Sequence, residues 1–348
     1  MGKKAIITGI TGQDGAYLAK FLLKQNYQVY GTFRRVSTPN FWRLKSLNIE
    51  KKIKYLPVDL IDTSSLSEAI QIVNPDEVYH LAAQSYVGSS FHNPLTSGEY
   101  TGLGVTRMLE SVRLTNPKIK FYQASSSELY GKIVEFPQNE QTPFRPQSPY
   151  AIAKLYGYWV TNMYRDAYDI FAVNGILFNH ESPLRGLEFV TRKISNAVAK
   201  IKLGLQKNVV LGNLDAKRDW GYAPEYVECM WTMLQQKKAE NFVIATNETH
   251  TVQEFVDMAF SYLNLDWKKY VKINKKLFRP LEVEMLYGDP SKAEKKLKWK
   301  PKIKFEKLVK IMVDADLDRW TKFKNGENFA WDAPNYVDED DIIIKNNK

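Results

Sequence analysis

Thr8-Gly9-Ile10-Thr11-Gly12-Gln13-Asp14-Gly15 follows directly on the apolar run Ala5-Ile6-Ile7 and precedes Tyr17-Leu18 and Phe21-Leu22, apolar pairs at helical spacing. Strand, glycine turn and helix in that order open a dinucleotide-binding unit. Glycines at 9, 12 and 15 permit a tight turn and let the backbone approach a pyrophosphate closely. The helix N-terminus behind them then offers its free N–H groups to the anion. A glycine pattern alone says little, and an ordinary turn is the plain alternative. Its place between an apolar strand and a helix gives this one weight.

Outward from that turn, short β-type runs alternate with helical spacing. Ala5–Thr8, Gln28–Thr32, Ile53–Leu56, Glu77–Leu81, Lys120–Gln123 and Phe171–Gly175 read as strands, and Leu109–Arg113 belongs to one of the helical stretches. Such alternation predicts an α/β fold, a doubly wound parallel sheet of the Rossmann type covered on both faces. After Asn179 the texture changes. Helix-like Phe189–Gly204 leads into Asn208–Leu211, and later residues are richer in lysine and tryptophan. The expected division is a nucleotide-binding domain over 1–178 and about 214–246, and a smaller, partly interleaved C-terminal substrate domain over 179–213 and about 247–333. A loosely held tail, 334–348, carries Asp338-Glu339-Asp340-Asp341.

The 348 residues carry 49 Lys and Arg against 39 Asp and Glu, a formal charge of +10 that suits an anionic partner. Nucleic acid, a membrane surface and a phosphorylated small molecule all qualify on charge alone. Cys229 is the single cysteine, which excludes an intrachain disulfide framework and a multi-thiolate metal site. His80, His92, His180 and His250 have no ligand spacing, so no metal is expected, and His80 reads as a packed residue. No apolar run approaches the ~20 residues of a membrane span, and the start has no long apolar stretch of a secretory signal. A cytoplasmic protein without membrane or nucleic-acid partners is the expectation. The lysine-rich stretches Lys268–Lys276 and Lys292–Lys304 alternate with acids and apolar residues, as solvated faces do.

Three further segments carry chemistry. After the second strand, Phe33-Arg34-Arg35 stands where a carboxylate would hold the ribose of NAD. Paired guanidiniums attract a 2′-phosphate, which favours NADP; a solvated basic turn is the alternative. Asp59 follows the third strand, as an adenine-edge partner or a turn residue. Tyr150 and Lys154 lie four apart on a helix and share a face, where an ammonium would draw the phenol toward ionisation. Upstream, Ser126 and Glu128 follow a strand end, where ligands sit in open parallel sheets. A serine there can bond the oxygen that Tyr150 deprotonates. A carboxylate is needed only if a proton beside a new ketone is also removed.

These segments resemble the short-chain dehydrogenase/reductase superfamily and, within its extended members, the GDP-mannose 4,6-dehydratase family. The likeness runs from about Lys4 to Arg319 in ordered blocks, among them Thr8–Leu18, Leu81–Val87, Phe121–Gly131, Ser148–Tyr156, Ala172–Pro183, Leu211–Gly221 and Arg279–Val283. The resemblance implies a redox-neutral cycle on tightly held NADP. C4 of a GDP-sugar is oxidised while Tyr150, with Lys154 and Ser126, takes the hydroxyl proton. Glu128 removes the C5 proton, water leaves from C6, and hydride returns to C6.

It implies cofactor contacts from Gly9, Thr11, Gly12, Gln13, Asp14, Gly15, Arg34, Arg35, Arg43, Asp59, Leu60, Leu81, Tyr150 and Lys154. Substrate contacts fall to Ser85, Ser126, Glu128, Tyr150, Asn179, Val190, Lys193, Arg218, Arg279 and Glu282. A segment reaching from Arg35 to about Arg43 that meets a neighbouring subunit's cofactor implies an oligomer, a tetramer built from dimers or a dimer. Ser126 stands for the family's threonine, Leu184 for an arginine and Tyr86 for a histidine, and His92 also departs. These changes leave GDP-mannose and GDP-manno-heptose both open as substrates. A nucleotide-sugar epimerase or 4-keto reductase is the enzymatic alternative, and an NADP-sensing regulator the non-enzymatic one.

Overall fold

The computed structural model describes residues 2–38 and 40–335, so the expected tail lies outside the described residues from 336 onward. Six of the seven sheet strands come from the first half: β1 (Lys4–Thr8), β2 (Gln28–Phe33), β3 (Lys54–Pro57), β4 (Glu77–His80), β5 (Lys120–Ser126) and β6 (Ala172–Leu177). The seventh, Phe242–Ile244, is added from the second half, and the order is 242–244, β6, β5, β4, β1, β2, β3, parallel throughout. Central β4 and β6 are buried at every position, as strands covered on both faces must be. Buried Glu77 is satisfied by Lys3, Tyr27, Tyr79 and Gln235.

The chain runs outward from β1 to β3 and then returns to place β4 on the other side of β1. This reversal opens a crevice beyond the C-terminal ends of β1 and β4. Helix α1 (Gln13–Lys24) follows β1 and buries Ala16, Leu18, Ala19 and Leu22 under the sheet. Beyond Gln123, where the β-type run predicts the fifth strand to end, β5 continues through Ser125 and Ser126, paired with Ile176 and Leu177. Burial of Ser125 in the sheet is possible because its Oγ donates to Asn174 Oδ1 at 3.0 Å.

A second hydrophobic core forms around Ile194, Val198, Trp220, Phe255, Phe260, Leu308 and Met312. It joins the helices Val190–Lys202, Val252–Tyr262 and Phe305–Lys324, the second of which begins with a reciprocal Thr251–Glu254 cap. Interleaving is extensive: Leu214, Ala216 and Trp220 pack in this second core, while Ala293, Leu297 and Trp299 pack in the core of the sheet. The helix Ser291–Leu297 lies against Phe242–Ile244, which carries those later residues back. Fully buried Arg192 fixes the joint between the lobes. It meets Asp316 at 2.9 Å and donates to the carbonyls of Pro183 and Arg185.

Candidate active site

Gly9 has φ +69°, and a Cβ there would stand 3.0 Å from Ala82 Cα. A Cβ on Gly15 would stand 2.4 Å from Gly9 O, so the turn tolerates no side chain at either position. The Gly12 N–H donates to Gly9 O at 3.0 Å, and the α1 terminus has no side-chain cap, leaving its first N–H groups to an anion. Thr8 Oγ1 accepts from the N–H groups of Leu81 and Ala82 and so clips the ends of β1 and β4 together. This cradle fits a dinucleotide pyrophosphate.

Around the turn, the structure gives several expected residues further tasks. Gln13 is buried, donating to His180 O and accepting from Ser182 Oγ at 2.7 Å. Asp14 meets His180 Nε2 at 2.8 Å, and His180 Nδ1 meets Phe178 O at 2.7 Å. Both ring nitrogens face acceptors, which requires the imidazolium. Burial opposes that charge, but Asp14 outweighs it and raises the His180 pKa; burial likewise raises Asp14, and His180 outweighs it to lower the carboxyl. Arg43 donates to Thr11 O and Leu184 O, bracing the same turn within its own chain. Exposed Arg34 reaches Tyr100 OH at 3.3 Å, and that hydroxyl reaches Asp59 Oδ2 at 3.4 Å; Arg35 is exposed beside it, and Leu60 is buried next to Asp59.

Across the crevice, Ser148 caps the helix Pro149–Tyr168 by accepting from Ala151 N at 3.1 Å, with Pro149 in its first turn. Tyr150 and Lys154 thus occupy its first two turns, both buried against the end of β5. Lys154 Nζ donates to Ala124 O at 2.6 Å and stands 5.9 Å from the Tyr150 ring centre. The expected phenol activation is not visible in this arrangement. Burial pushes Tyr150 up to about 12, opposed by a hydrogen bond with Ser126, and burial pulls Lys154 down to about 8. Ser126 Oγ also accepts from Glu128 N at 3.2 Å, starting the short turn Ser127–Leu129 that buries Glu128.

Glu128 faces the second lobe, where Arg279 Nη1 stands 3.4 Å from its Oε1. Arg218 is held between the Val283 carbonyl at 2.7 Å and Glu282 Oε1 at 3.1 Å. Burial lowers the Arg218 pKa; for Arg279 burial is outweighed by Glu128 and Glu282, and the pKa rises. One cavity of about 560 Å³ unites these groups: Ser126, Glu128, Tyr150 and Lys154 line it together with Ser85, Asn179, Val190, Lys193, Arg218, Arg279, Glu282, Asp14 and Leu81. Gly9, Thr11, Gly12, Gln13, Gly15, Arg34, Arg35, Arg43, Asp59 and Leu60 do not line it; they belong to the turn and the adjoining sheet edge.

Sequence reasoning missed His180, Glu181, Arg185 and Glu188, which also line the cavity. Their signal was weak because only the fold carries the 180–188 segment over the sheet ends. Tyr86, in the cavity wall, packs edge-on against Phe189. No group of three or more His, Cys, Asp or Glu arranged for a metal occurs among the described residues. No helix among them is long and apolar enough to cross a membrane.

The family model for GDP-mannose 4,6 dehydratase matches residues 6–312. The chain belongs to this family. GDP-mannose 4,6 dehydratase 1 of Arabidopsis thaliana is 52% identical over 326 residues, covering 91% of this chain and 90% of its own length. The human GDP-mannose 4,6 dehydratase is 50% identical over 347 residues, with 91% and 93% covered. At the level of fold, a dTDP-glucose 4,6-dehydratase of Bacillus anthracis in complex with NAD superposes with TM-score 0.81 at 19% identity, covering 93% of this chain and 99% of that one. A Thermus thermophilus UDP-glucose 4-epimerase in complex with NAD gives 0.79 at 24% identity, over 90% and 98%. GDP-mannose dehydratases and epimerases therefore share this scaffold, and the groups in the cavity must separate their chemistries.

Proposed function

We propose that this chain converts GDP-mannose to GDP-4-keto-6-deoxymannose, with NADP as its cofactor. The observation that carries the reading is Glu128 buried on the same cavity as Ser126, Tyr150 and Lys154, opposite Arg218 and Arg279. Tyr150 takes the proton of the C4 hydroxyl, and Ser126 orients that oxygen. Glu128 removes the C5 proton, made acidic by the 4-ketone, and gives it to the C6 hydroxyl as water leaves; once hydride has reached C6, a proton drawn from solvent completes C5. Arg218, Arg279 and Lys193 neutralise the sugar diphosphate. When bound, the nicotinamide dinucleotide supplies the hydride acceptor for C4 and the donor for C6, and ends each turnover as it began.

An epimerase or a 4-keto reductase needs the tyrosine and lysine but no base at C5, so Glu128 favours the dehydratase. Arg34 and Arg35, exposed at the end of β2, support the 2′-phosphate of NADP over NAD. Ile152, Tyr156, Trp159 and Met163 form an exposed apolar stripe on the helix Pro149–Tyr168, which supports an oligomer of this chain. Light scattering should then give a multiple of 40.3 kDa, and a monomer at working concentration would remove that part.

The function is tested by incubating the NADP-loaded protein with GDP-mannose in heavy water. Loss of one water by mass spectrometry and deuterium at C5 are expected. Unchanged GDP-mannose, or conversion to an isomer of equal mass, overturns the reading.

A further inference from the structure

Beneath Tyr150 and Lys154, the sheet carries two polar side chains that the proposed reaction does not use. His80 ends β4, and Gln123 is its register partner on β5; each is 1% exposed. Side chains of such partners project from the same face, and the helix Pro149–Tyr168 covers it here. A Cβ on Gly157 of that helix would stand 3.5 Å from Gln123 Nε2. Gln123 Nε2 and Lys154 Nζ both donate to Ala124 O, at 3.2 and 2.6 Å. Burial, together with the Lys154 charge, holds the His80 imidazole down at about 3, so its ring is neutral.

The hydrogen bonds around Thr8 fix the tautomer of that ring. Thr8 Oγ1 already accepts from the N–H groups of Leu81 and Ala82, each at 3.0 Å. Its hydroxyl proton is therefore the one directed to His80 Nδ1, at 3.2 Å, and the ring proton sits on Nε2. That N–H has no acceptor among the described residues, and Gln123 Oε1 has no donor. A buried donor and a buried acceptor, unpaired on neighbouring strands, match the two ends of one bridging water.

We propose that an ordered water accepts from His80 Nε2–H and from the Lys154 ammonium and donates to Gln123 Oε1. His80 and Gln123 are then positioning residues for Lys154. Three hydrogen bonds are what a buried water ordinarily makes. The other ionisable groups facing Lys154 are Tyr150 on its own helix and Asp14 of α1, whose carboxylate favours the ammonium. The water adds an acceptor on the side of the sheet and opposes the burial that weakens the charge. The positioning role rests on the proposed reaction, in which Lys154 attends Tyr150; the water site itself does not.

The test pairs crystallography of the NADP-loaded enzyme, at a resolution that reveals ordered water, with pH profiles of kcat. Density within hydrogen-bond distance of His80 Nε2, Gln123 Oε1 and Lys154 Nζ is expected. Gln123→Leu and His80→Leu should lower kcat about tenfold. They should also move the alkaline limb to lower pH, because an ammonium without that acceptor loses its proton sooner. KM should hold, since neither side chain lines the cavity, and His80→Gln, which keeps an N–H near Nε2, should stay close to wild type. A direct bond between His80 and Gln123, absence of the density, or leucine variants whose pH profile overlays the wild type would each overturn the proposal. Failure of the wild type to dehydrate GDP-mannose would instead count against the reaction, and the density would still decide the water site.

Discussion

At the glycine turn, the surface proposed to hold phosphate is backbone supplied by one continuous stretch, Gly9 to Gly15. At the opposite end of the crevice the cavity wall proposed to hold the sugar nucleotide is side chain, gathered from Asn179, Val190, Lys193, Arg218, Arg279 and Glu282. The first end depends on the absence of side chains, and the second on charges that already neutralise one another. Glu128 meets Arg279, and Glu282 meets Arg218, before any diphosphate arrives. A backbone cradle is pre-formed and costs little to occupy. A cationic cluster holding its own carboxylates must exchange partners when an anion binds, which favours ligands that satisfy both arginines together.

That contrast can be broken first at the carboxylate standing between the two ends. Glu128→Gln should lower product formation by about 10²–10⁴-fold and abolish deuterium entry at C5, while NADP binding, followed by protein fluorescence, stays near wild type. An equal loss of NADP binding would mean that Glu128 shapes the whole crevice.

The backbone end should fail through packing and not through charge. A valine at Gly15 brings a Cβ within 2.4 Å of Gly9 O, and the overpacking should cost about 1–3 kcal/mol. A lowered Tm that added NADP does not restore is the expected result. Wild-type NADP affinity in that variant would refute the cradle.

Among the arginines, the buried one should matter more. Arg218→Met also frees the carbonyl of Val283, so its KM for the GDP-sugar should rise by about 100-fold, against about tenfold for Arg279→Met. The reverse ranking would make Arg279 the main diphosphate ligand.

At the rim the effects should be small. Arg34→Ala should reduce the preference for NADP over NAD by about tenfold at low salt and by less at high salt, because the group is exposed. The smallest effect belongs to the Asp14–His180 pair. The raised His180 pKa contributes stability present below its unfolded value of 6.5 and lost as pH rises through the folded value. The lowered Asp14 pKa contributes stability present above 3.8 and lost as pH falls through its folded value. In urea unfolding, the advantage of wild type over His180→Gln should be greatest in mildly acidic buffer and shrink above neutrality.

Local features were legible without coordinates because short-range chemistry defines them. Gly9 and Gly15 are demanded by the turn's own crowding, and Tyr150 and Lys154 share a face by helical spacing alone. Other features escaped. β5 runs on to Ser126 because Asn174 on the neighbouring strand satisfies Ser125. Gln13 turns inward because the 180–182 segment lies over it. Tyr150 is pushed up to about 12 by burial that only the packing of its helix on the sheet creates, so its spacing from Lys154 could not foretell its ionisation.

By itself, the sequence determined the parallel α/β sheet, the glycine turn at its first strand, and the Ser126, Glu128, Tyr150 and Lys154 set. Each is signalled by a local pattern: strand and helix spacing, a run of glycines, or a short motif. The tertiary structure decided the contacts themselves, Arg279 on Glu128 and Glu282 on Arg218 around one cavity, and it alone set His80 beside Gln123 under Lys154. Those meetings depend on which strands pair and where the second lobe folds back, and burial and charge act over distances in space that chain order does not encode.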